Sequence, residues 1–312
     1  MKKKIAIGAD IGGSHISCAA FDYSNRKYLE NTFAENGVDN HAEAESIVDA
    51  WGRTIRHTLE RAGAENVEGV GFAMPGPFDY ENGIPLFTGV NNKYEKIYGI
   101  NVPHELRHYL GLPVDFPIRF INDATAFAVG EDWVGQARGS RRSLSVTLGT
   151  GFGSAFLRDS LPVVSGEEVP VNGCVWHLPF EDGIADDYFS TRGLVNRYAR
   201  LSGRMLKGAR EVAEAAKTDE VAKGVFSDFG SKLVDLLEPW FRKFDVEVMV
   251  VGGNISHAHH LFFPALHVGL HRAGLRVKVA ISELKERASI IGSARLVEPG
   301  FWSRASPLLK EM

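Results

Sequence analysis

Two glycine turns carry the chemistry this chain could do. Ala9-Asp10-Ile11-Gly12-Gly13-Ser14-His15-Ile16 and Val146-Thr147-Leu148-Gly149-Thr150-Gly151-Phe152-Gly153 lie far apart, yet each sits between apolar, strand-like runs. A glycine turn between strands has no side chains in the way, so its backbone N–H groups can close on an anion. Two such turns in one chain point to two similar halves that clamp one phosphate-bearing ligand. Asp10 precedes the first turn, where a carboxylate can hold Mg2+ or its waters beside phosphates. An aspartate there can also serve only to form the turn. Asn122-Asp123 ends another apolar run. A carboxylate exposed past a strand end suits a general base; it equally suits the N-cap of a following helix.

These residues need scaffolds. Strands are expected over 4–9 and 16–21, with a third near 28–33. A helix is expected over 42–62, because Ile47, Trp51, Ile55 and Leu59 recur every four residues as one apolar stripe. A strand over 67–73 ends in the turn cluster Met74-Pro75-Gly76-Pro77. The stretch 79–99 reads as a loop lining a cleft. A short helix over 102–110, a strand over 118–121 and a helix from 124 follow. The second half repeats the scheme, with hairpin strands around 149–153, helices over 187–201 and 211–240, and a strand over 246–251 that ends in Gly252-Gly253-Asn254. Near the C-terminus, Ala288, Gly292 and Ala294 place small residues on a helical pattern over 288–297. Such a helix can pack closely against another element. The boundary between the halves is expected near 117–122.

Composition sets the frame. A chain of 312 residues, 44% hydrophobic and 24% charged, can bury two real cores. A net charge of −4 argues against nucleic acid or an anionic membrane as the main partner. No apolar run approaches the roughly 20 residues that span a bilayer. The opening Met1-Lys2-Lys3-Lys4 imitates a signal peptide, but its apolar run meets Asp10 at once and reads as a first strand. Cys18 and Cys174 lack framework spacing, which suits a reducing, cytoplasmic compartment.

Together the motifs resemble the ROK family of sugar kinases, within the actin-like ATPase superfamily. Asp10-Ile11-Gly12-Gly13-Ser14 is similar to the family's first phosphate loop, and Gly71-Phe72-Ala73-Met74-Pro75-Gly76-Pro77 to its strand-to-turn element. Asn122-Asp123-Ala124 with Ala126 resembles its catalytic loop, and Leu148-Gly149-Thr150-Gly151 with Gly153 its second phosphate loop. Val251-Gly252-Gly253-Asn254-Ile255-Ser256 resembles its adenosine loop. The motifs keep the family's order across nearly the whole chain.

The resemblance implies an α/β fold of two ribonuclease-H-like (actin-like ATPase) domains with an interdomain cleft. The N-terminal lobe would be 1–120 plus a C-terminal helix at about 288–303, and the nucleotide-binding lobe 121–287. It implies transfer of the γ-phosphoryl of ATP, with Mg2+, to a hexose hydroxyl. Glucose O6 is the default acceptor; an N-acetylhexosamine kinase or a catalytically silent sugar-binding protein are the alternatives. Asp123 becomes the general base. Asp10 holds Mg2+ through waters, while Gly12, Gly13, Ser14, Gly149, Thr150, Gly151, Gly252, Gly253 and Asn254 line the nucleotide. Asn122 and Gly76 face the sugar, and Asn91 and Asn92 could touch it. His15 stands where the family more often has lysine, so a fixed charge there near neutral pH is not expected. A homodimer is expected from the family alone. Repressors of the family carry a helix-turn-helix ahead of the first strand, and this chain begins at that strand.

The acceptor side departs from the pattern. Gly173-Cys174-Val175-Trp176-His177-Leu178-Pro179 aligns with a family segment in which a glutamate stands at the position of Cys174 and a cysteine-rich zinc loop follows. Here His177 matches the family's histidine, the cysteine cluster is missing, and Asp186 falls at a second glutamate. No zinc site is expected, since a structural zinc needs four ligands. His177 would donate to one sugar hydroxyl and Asp186 accept from another. A thiol accepts hydrogen bonds weakly, and loss of one charged acceptor costs about 1.5–3 kcal/mol. Glu167 or Glu168 could fill that role instead.

Overall fold

The computed structural model describes residues 4–89 and 94–312, which divide into two units, Met1–Val134 with Glu286–Met312, and Gly135–Lys285. The first unit opens with a hairpin of β1 (Ile5–Ile11) and β2 (His15–Asp22), in which every β1 residue except Asp10 is buried. Strands β3 (Lys27–Tyr28) and β4 (Ala34–Gly37) both pair with β2. They replace the single strand expected near 28–33, because Glu30–Thr32 forms a 3-10 turn that carries Thr32 back to bond the Ala20 N–H at 2.8 Å. Helix α1 (Ala44–Ala62) buries the predicted stripe, with Ile47 and Trp51 fully enclosed. Next come β5 (Val67–Met74), a small hairpin of β6 (Phe78–Asp79) and β7 (Ile84–Pro85), and α2 (Val102–Leu110), whose N-cap is Asn101. β8 (Ile118–Asn122) runs directly into α3 (Asp123–Val134). The main sheet has the order β3-β2-β1-β5-β8, with β1, β5 and β8 parallel.

The second unit repeats this plan. β9 (Arg142–Leu148) and β10 (Phe152–Arg158) form its hairpin, and β11 (Leu161–Pro162) extends the edge. A separate hairpin, β12 (Pro179–Phe180) with β13 (Gly183–Ile184), leads into α4 (Ala185–Phe189) and α5 (Thr191–Ser202). The expected helix over 187–201 is thus two, divided at Ser190, whose hydroxyl caps α5 through the Gly193 N–H. The expected helix over 211–240 is also two, α6 (Ala209–Ala215) and α7 (Glu220–Phe244). Asp219 makes the break, accepting the Val221 N–H at 2.8 Å as the N-cap of α7. β14 (Val248–Gly252), α8 (His259–Arg272) and β15 (Lys278–Ile281) complete a sheet of order β11-β10-β9-β14-β15. Its core is aromatic, with Phe189, Phe226, Phe229 and Phe262 packed among Leu233, Leu237 and Leu266.

The chain then returns to the first unit as α9 (Arg287–Arg295) and α10 (Pro299–Ala305). α9 touches β1, β5 and α3 backbone to backbone. A Cβ on Gly8 would stand 1.7 Å from the Ile290 carbonyl oxygen, and one on Gly71 1.8 Å from that of Ser293. A buried ion pair, Arg295 to Asp132 at 2.9 Å, fixes α9 to α3. The unit boundary therefore falls after Val134, not after residue 120, because β8 pairs with β5 and α3 packs under α9. Asp123 accordingly shares a unit with Asp10.

Candidate active site

The carboxyl ends of β1, β5 and β8 lie side by side, with Asp10 level with Ala73 and Met74 level with Asn122. Neighbouring strands stand about 4.8 Å apart, so only β5 separates the strand ends that present Asp10 and Asp123. Asn122 performs the capping that the sequence left open between it and Asp123. Its Oδ1 accepts the Thr125 N–H at 3.1 Å. Its Nδ2 donates to the Tyr80 hydroxyl at 3.3 Å and to Asp123 Oδ1 at 3.0 Å, and Tyr80 donates to the Met74 carbonyl at 3.0 Å. The Ala124 N–H adds a bond to the same Oδ1 at 2.8 Å. Both of these contacts to Asp123 fall on one oxygen. Asn122 was expected to face the sugar; its amide bonds Thr125, Tyr80 and Asp123. Gly76 is exposed near Tyr80, and Asn91 and Asn92 lie outside the described residues.

Charge is concentrated at this edge. Burial pushes the Asp10 carboxyl up to about 7, and the charges of Asp123 and Glu286 push it the same way. Burial also raises Asp123, against hydrogen bonds from Ala124 and Asn122 that pull it down. An oxygen donor that accepts no hydrogen bond among the described residues and stands among like charges fits a divalent cation. No group of three or more His, Cys, Asp or Glu side chains among the described residues is placed to hold a metal. Mg2+ held at Asp10 would therefore keep waters and phosphate oxygens as most of its ligands, as that ion commonly does.

The sign of the Asp10 shift makes a prediction. The folded state holds a proton between the ordinary value of 3.8 and about 7, where the unfolded chain has lost it. Stability from this group therefore falls as pH rises through that window. Asp10→Asn should raise the unfolding temperature at pH 8 and leave it nearly unchanged at pH 4. Thermal scans of both proteins across pH check this; parallel curves would refute it.

Each glycine turn ties off carbonyls and leaves amides that have no hydrogen bond among the described residues. In the first, the Gly12 N–H closes on the His15 carbonyl at 2.9 Å, Tyr94 donates to the Gly12 carbonyl at 2.8 Å, and Asn40 donates to that of Gly13. The amides of Gly13 and Ser14 take no part in these bonds. The His15 ring lies 2.6 Å at its nearest atom from where a Gly12 Cβ would be, so a side chain there would have to displace that ring. In the second turn, the Gly149 N–H closes on the Gly151 carbonyl at 3.0 Å. Thr191 donates to the Gly149 carbonyl through both its N–H and its hydroxyl, each at 2.8 Å. The amides of Thr150 and Gly151 remain outside these bonds. Gly253, at φ 79°, passes directly over Leu148, where a Cβ would stand 2.4 Å from the carbonyl oxygen. The register of Gly252 with Thr147 thus sets Gly252, Gly253 and Asn254 beside the second turn. Asn40, Tyr94 and Thr191 were missed because nothing in their local sequence marks them.

The segment from Cys174 to Leu178, expected to face the acceptor, is pinned from both sides. The Val175 N–H donates to the Ser154 hydroxyl at 2.9 Å, and the Asp186 N–H to the Trp176 carbonyl at 2.9 Å. His177 sits edge-on to Trp176 with ring centroids 5.4 Å apart, and its Nδ1 is 3.7 Å from Cys174 Sγ. Its Nε2 has no hydrogen bond among the described residues. Burial pushes the Cys174 thiol up to about 11, so it stays protonated near neutral pH. Trp176 is 47% exposed. Asp186 does not wait for a hydroxyl with both oxygens free. Its Oδ1 accepts the Phe152 N–H at 2.7 Å and its Oδ2 pairs with Arg192 at 3.2 Å. Glu168 is engaged by Arg158, which holds it below its ordinary range, while Glu167 is exposed.

The chain is similar to known proteins over most of its length. The model of the ROK family matches residues 6–299. A glucokinase of Thermotoga maritima is 26% identical, the match covering 96% of this chain and 98% of that protein. An N-acetyl-D-glucosamine kinase of Photobacterium profundum is 28% identical over 82% of this chain and 86% of that protein. Among solved structures, the ROK family glucokinase of Streptomyces griseus in complex with glucose and AMPPNP superposes with a TM-score of 0.72 at 23% identity, covering 94% of this chain and 98% of that one. No described helix is long and apolar enough to cross a membrane.

Proposed function

Because the chain belongs to the ROK family, we propose that it transfers the γ-phosphoryl group of ATP to a hydroxyl of a hexose. The observation that carries this reading is the division of labour at the end of β8: Asn122 caps the helix and orients its neighbour, which leaves Asp123 available as a base. The acceptor oxygen forms a bond to phosphorus, its proton passes to Asp123, and the bond to ADP breaks. The raised basicity of Asp123 favours that transfer. The amides of Gly13, Ser14, Thr150 and Gly151, which have no hydrogen bond among the described residues, suit phosphate oxygens, and Gly252, Gly253 and Asn254 suit the nucleoside. Mg2+, when bound beside Asp10, would supply positive charge against the phosphates.

The test is ADP release in a coupled assay over a panel of hexoses and N-acetylhexosamines. If no sugar raises turnover above background while ATP still binds, the kinase reading is lost.

Glucose O6 is the default acceptor. A second reading, an N-acetylhexosamine, is favoured by the thiol of Cys174 and the exposed indole of Trp176 beside His177, which offer apolar surface where a charged acceptor would serve a hydroxyl. Cys174→Glu should then raise kcat/KM for glucose by about 10- to 100-fold, the equivalent of one charged hydrogen bond. Steady-state kinetics on both sugars measure it; an unchanged or lower value for glucose would remove Cys174 from the acceptor site.

A further inference from the structure

We propose that Asp186 is a positioning residue that ties the acceptor-side segment 174–178 to the second glycine turn, so that acceptor and nucleotide affinities are coupled through it. This rests on the kinase reading above. Three bonds carry it. The Asp186 backbone N–H holds the Trp176 carbonyl at 2.9 Å, one residue before His177. Its side chain holds the Phe152 N–H at 2.7 Å, the residue that leaves the turn. Arg192 fixes that carboxylate in place and is braced on Asp187 at 2.9 Å.

The same short stretch of chain grips the other side of the turn. Thr191, five residues on, takes the Gly149 carbonyl with two donors. The stretch from Asp186 to Thr191 therefore brackets the turn at its entry and exit. Its beginning is also locked to the acceptor side, because the Ala185 N–H donates to the Leu178 carbonyl at 2.9 Å. Little slack remains between these points. A Cβ on Gly151 would stand 3.3 Å from Asp186 Oδ1, so the carboxylate lies against the turn. A sugar that orders Trp176 and His177 thereby orders the amides that receive phosphate, and a nucleotide does the reverse, since coupling between two sites is reciprocal.

The experiment titrates AMPPNP into the full chain with and without saturating glucose, or N-acetylglucosamine if that sugar supports the higher turnover. The wild type should bind AMPPNP about fivefold or more tightly with sugar present. Asp186→Ala should bind AMPPNP more weakly, show a ratio of about one, and keep its sugar affinity in the absence of nucleotide within about twofold. Asp186→Asn keeps an oxygen for the Phe152 N–H and should retain most of the coupling, which guards against a fold defect in the alanine variant. If Asp186→Ala instead weakens sugar binding by itself about tenfold and leaves the ratio intact, Asp186 is a sugar contact and the proposal is overturned. A sugar that turns over in the wild type without changing AMPPNP affinity overturns the coupling alone. No turnover with any sugar overturns the kinase reading first.

Discussion

Asp123→Asn is expected to lower kcat by about 10²- to 10⁴-fold, the usual contribution of a positioned general base. The substitution is nearly isosteric. An asparagine oxygen can still accept from Ala124 and Asn122, as Oδ1 of Asp123 does at 2.8 and 3.0 Å. The cap of α3 is unaffected, because Asn122 supplies it. What is lost is only the capacity to take a proton from the acceptor hydroxyl. Nucleotide affinity should therefore stay within about threefold, giving a change in kcat without a matching change in the nucleotide KM. The pH profile supplies a second readout. Burial raises the Asp123 carboxyl, and the base works only when ionised. The wild-type rate should fall as pH drops through that raised value, at a pH above the ordinary aspartate range. Coupled assays of both proteins across pH, with AMPPNP titrations alongside, measure each quantity. Equal turnover would remove Asp123 as the base.

The sequence made some of this site visible and hid the rest for a physical reason. Glycine turns between apolar runs, the stripe of α1 and the aspartate past β8 are local patterns, and each sits in the predicted element. The partners that give the turns their shape are not local. Tyr94 reaches Gly12 across 82 residues, and Asn40 reaches Gly13 across 27. Neither has a signal in its own neighbourhood. Asp186 was expected to accept from a sugar hydroxyl, and its bond to Phe152, which spans 34 residues, changes what its carboxylate is available to do. The breaks at Ser190 and Asp219 were missed because apolar periodicity runs on through them, while the caps that stop the helices depend on one side chain each. Nothing in the sequence singles out Gly8 or Gly130, and Gly71 stands out only as part of the strand-to-turn element. Only the three-dimensional course of α9 shows why they have no side chain.

That course sets up the second large effect. Gly292→Ala should destabilise the protein by about 4 kcal/mol or more, well beyond the usual cost of overpacking. The Cβ would stand 1.8 Å from the Ala126 carbonyl oxygen and 2.8 Å from the Gly130 amide nitrogen, so backbone itself is in the way. No rotamer change can relieve that contact; α9 and α3 must separate. From the other side, a Cβ on Gly130 would stand 2.0 Å from the Ala288 carbonyl oxygen. α9 is also in contact with β1 through Gly8, so a shift reaches both the strand that carries Asp10 and the helix that begins at Asp123. Activity should then fall even in whatever fraction stays folded. Gly224→Ala is the internal control. Gly224 lies within α7, is exposed, and a Cβ there meets nothing within 4 Å. Helix propensity alone then decides, and the change should stabilise by about 1 kcal/mol. The same substitution in two helices of one chain is thus expected to act in opposite directions. Denaturant midpoints of the two variants decide it. A Gly292→Ala protein within about 1 kcal/mol of wild type would mean that α9 does not rest on bare backbone, and the placement of both carboxylates would need another explanation.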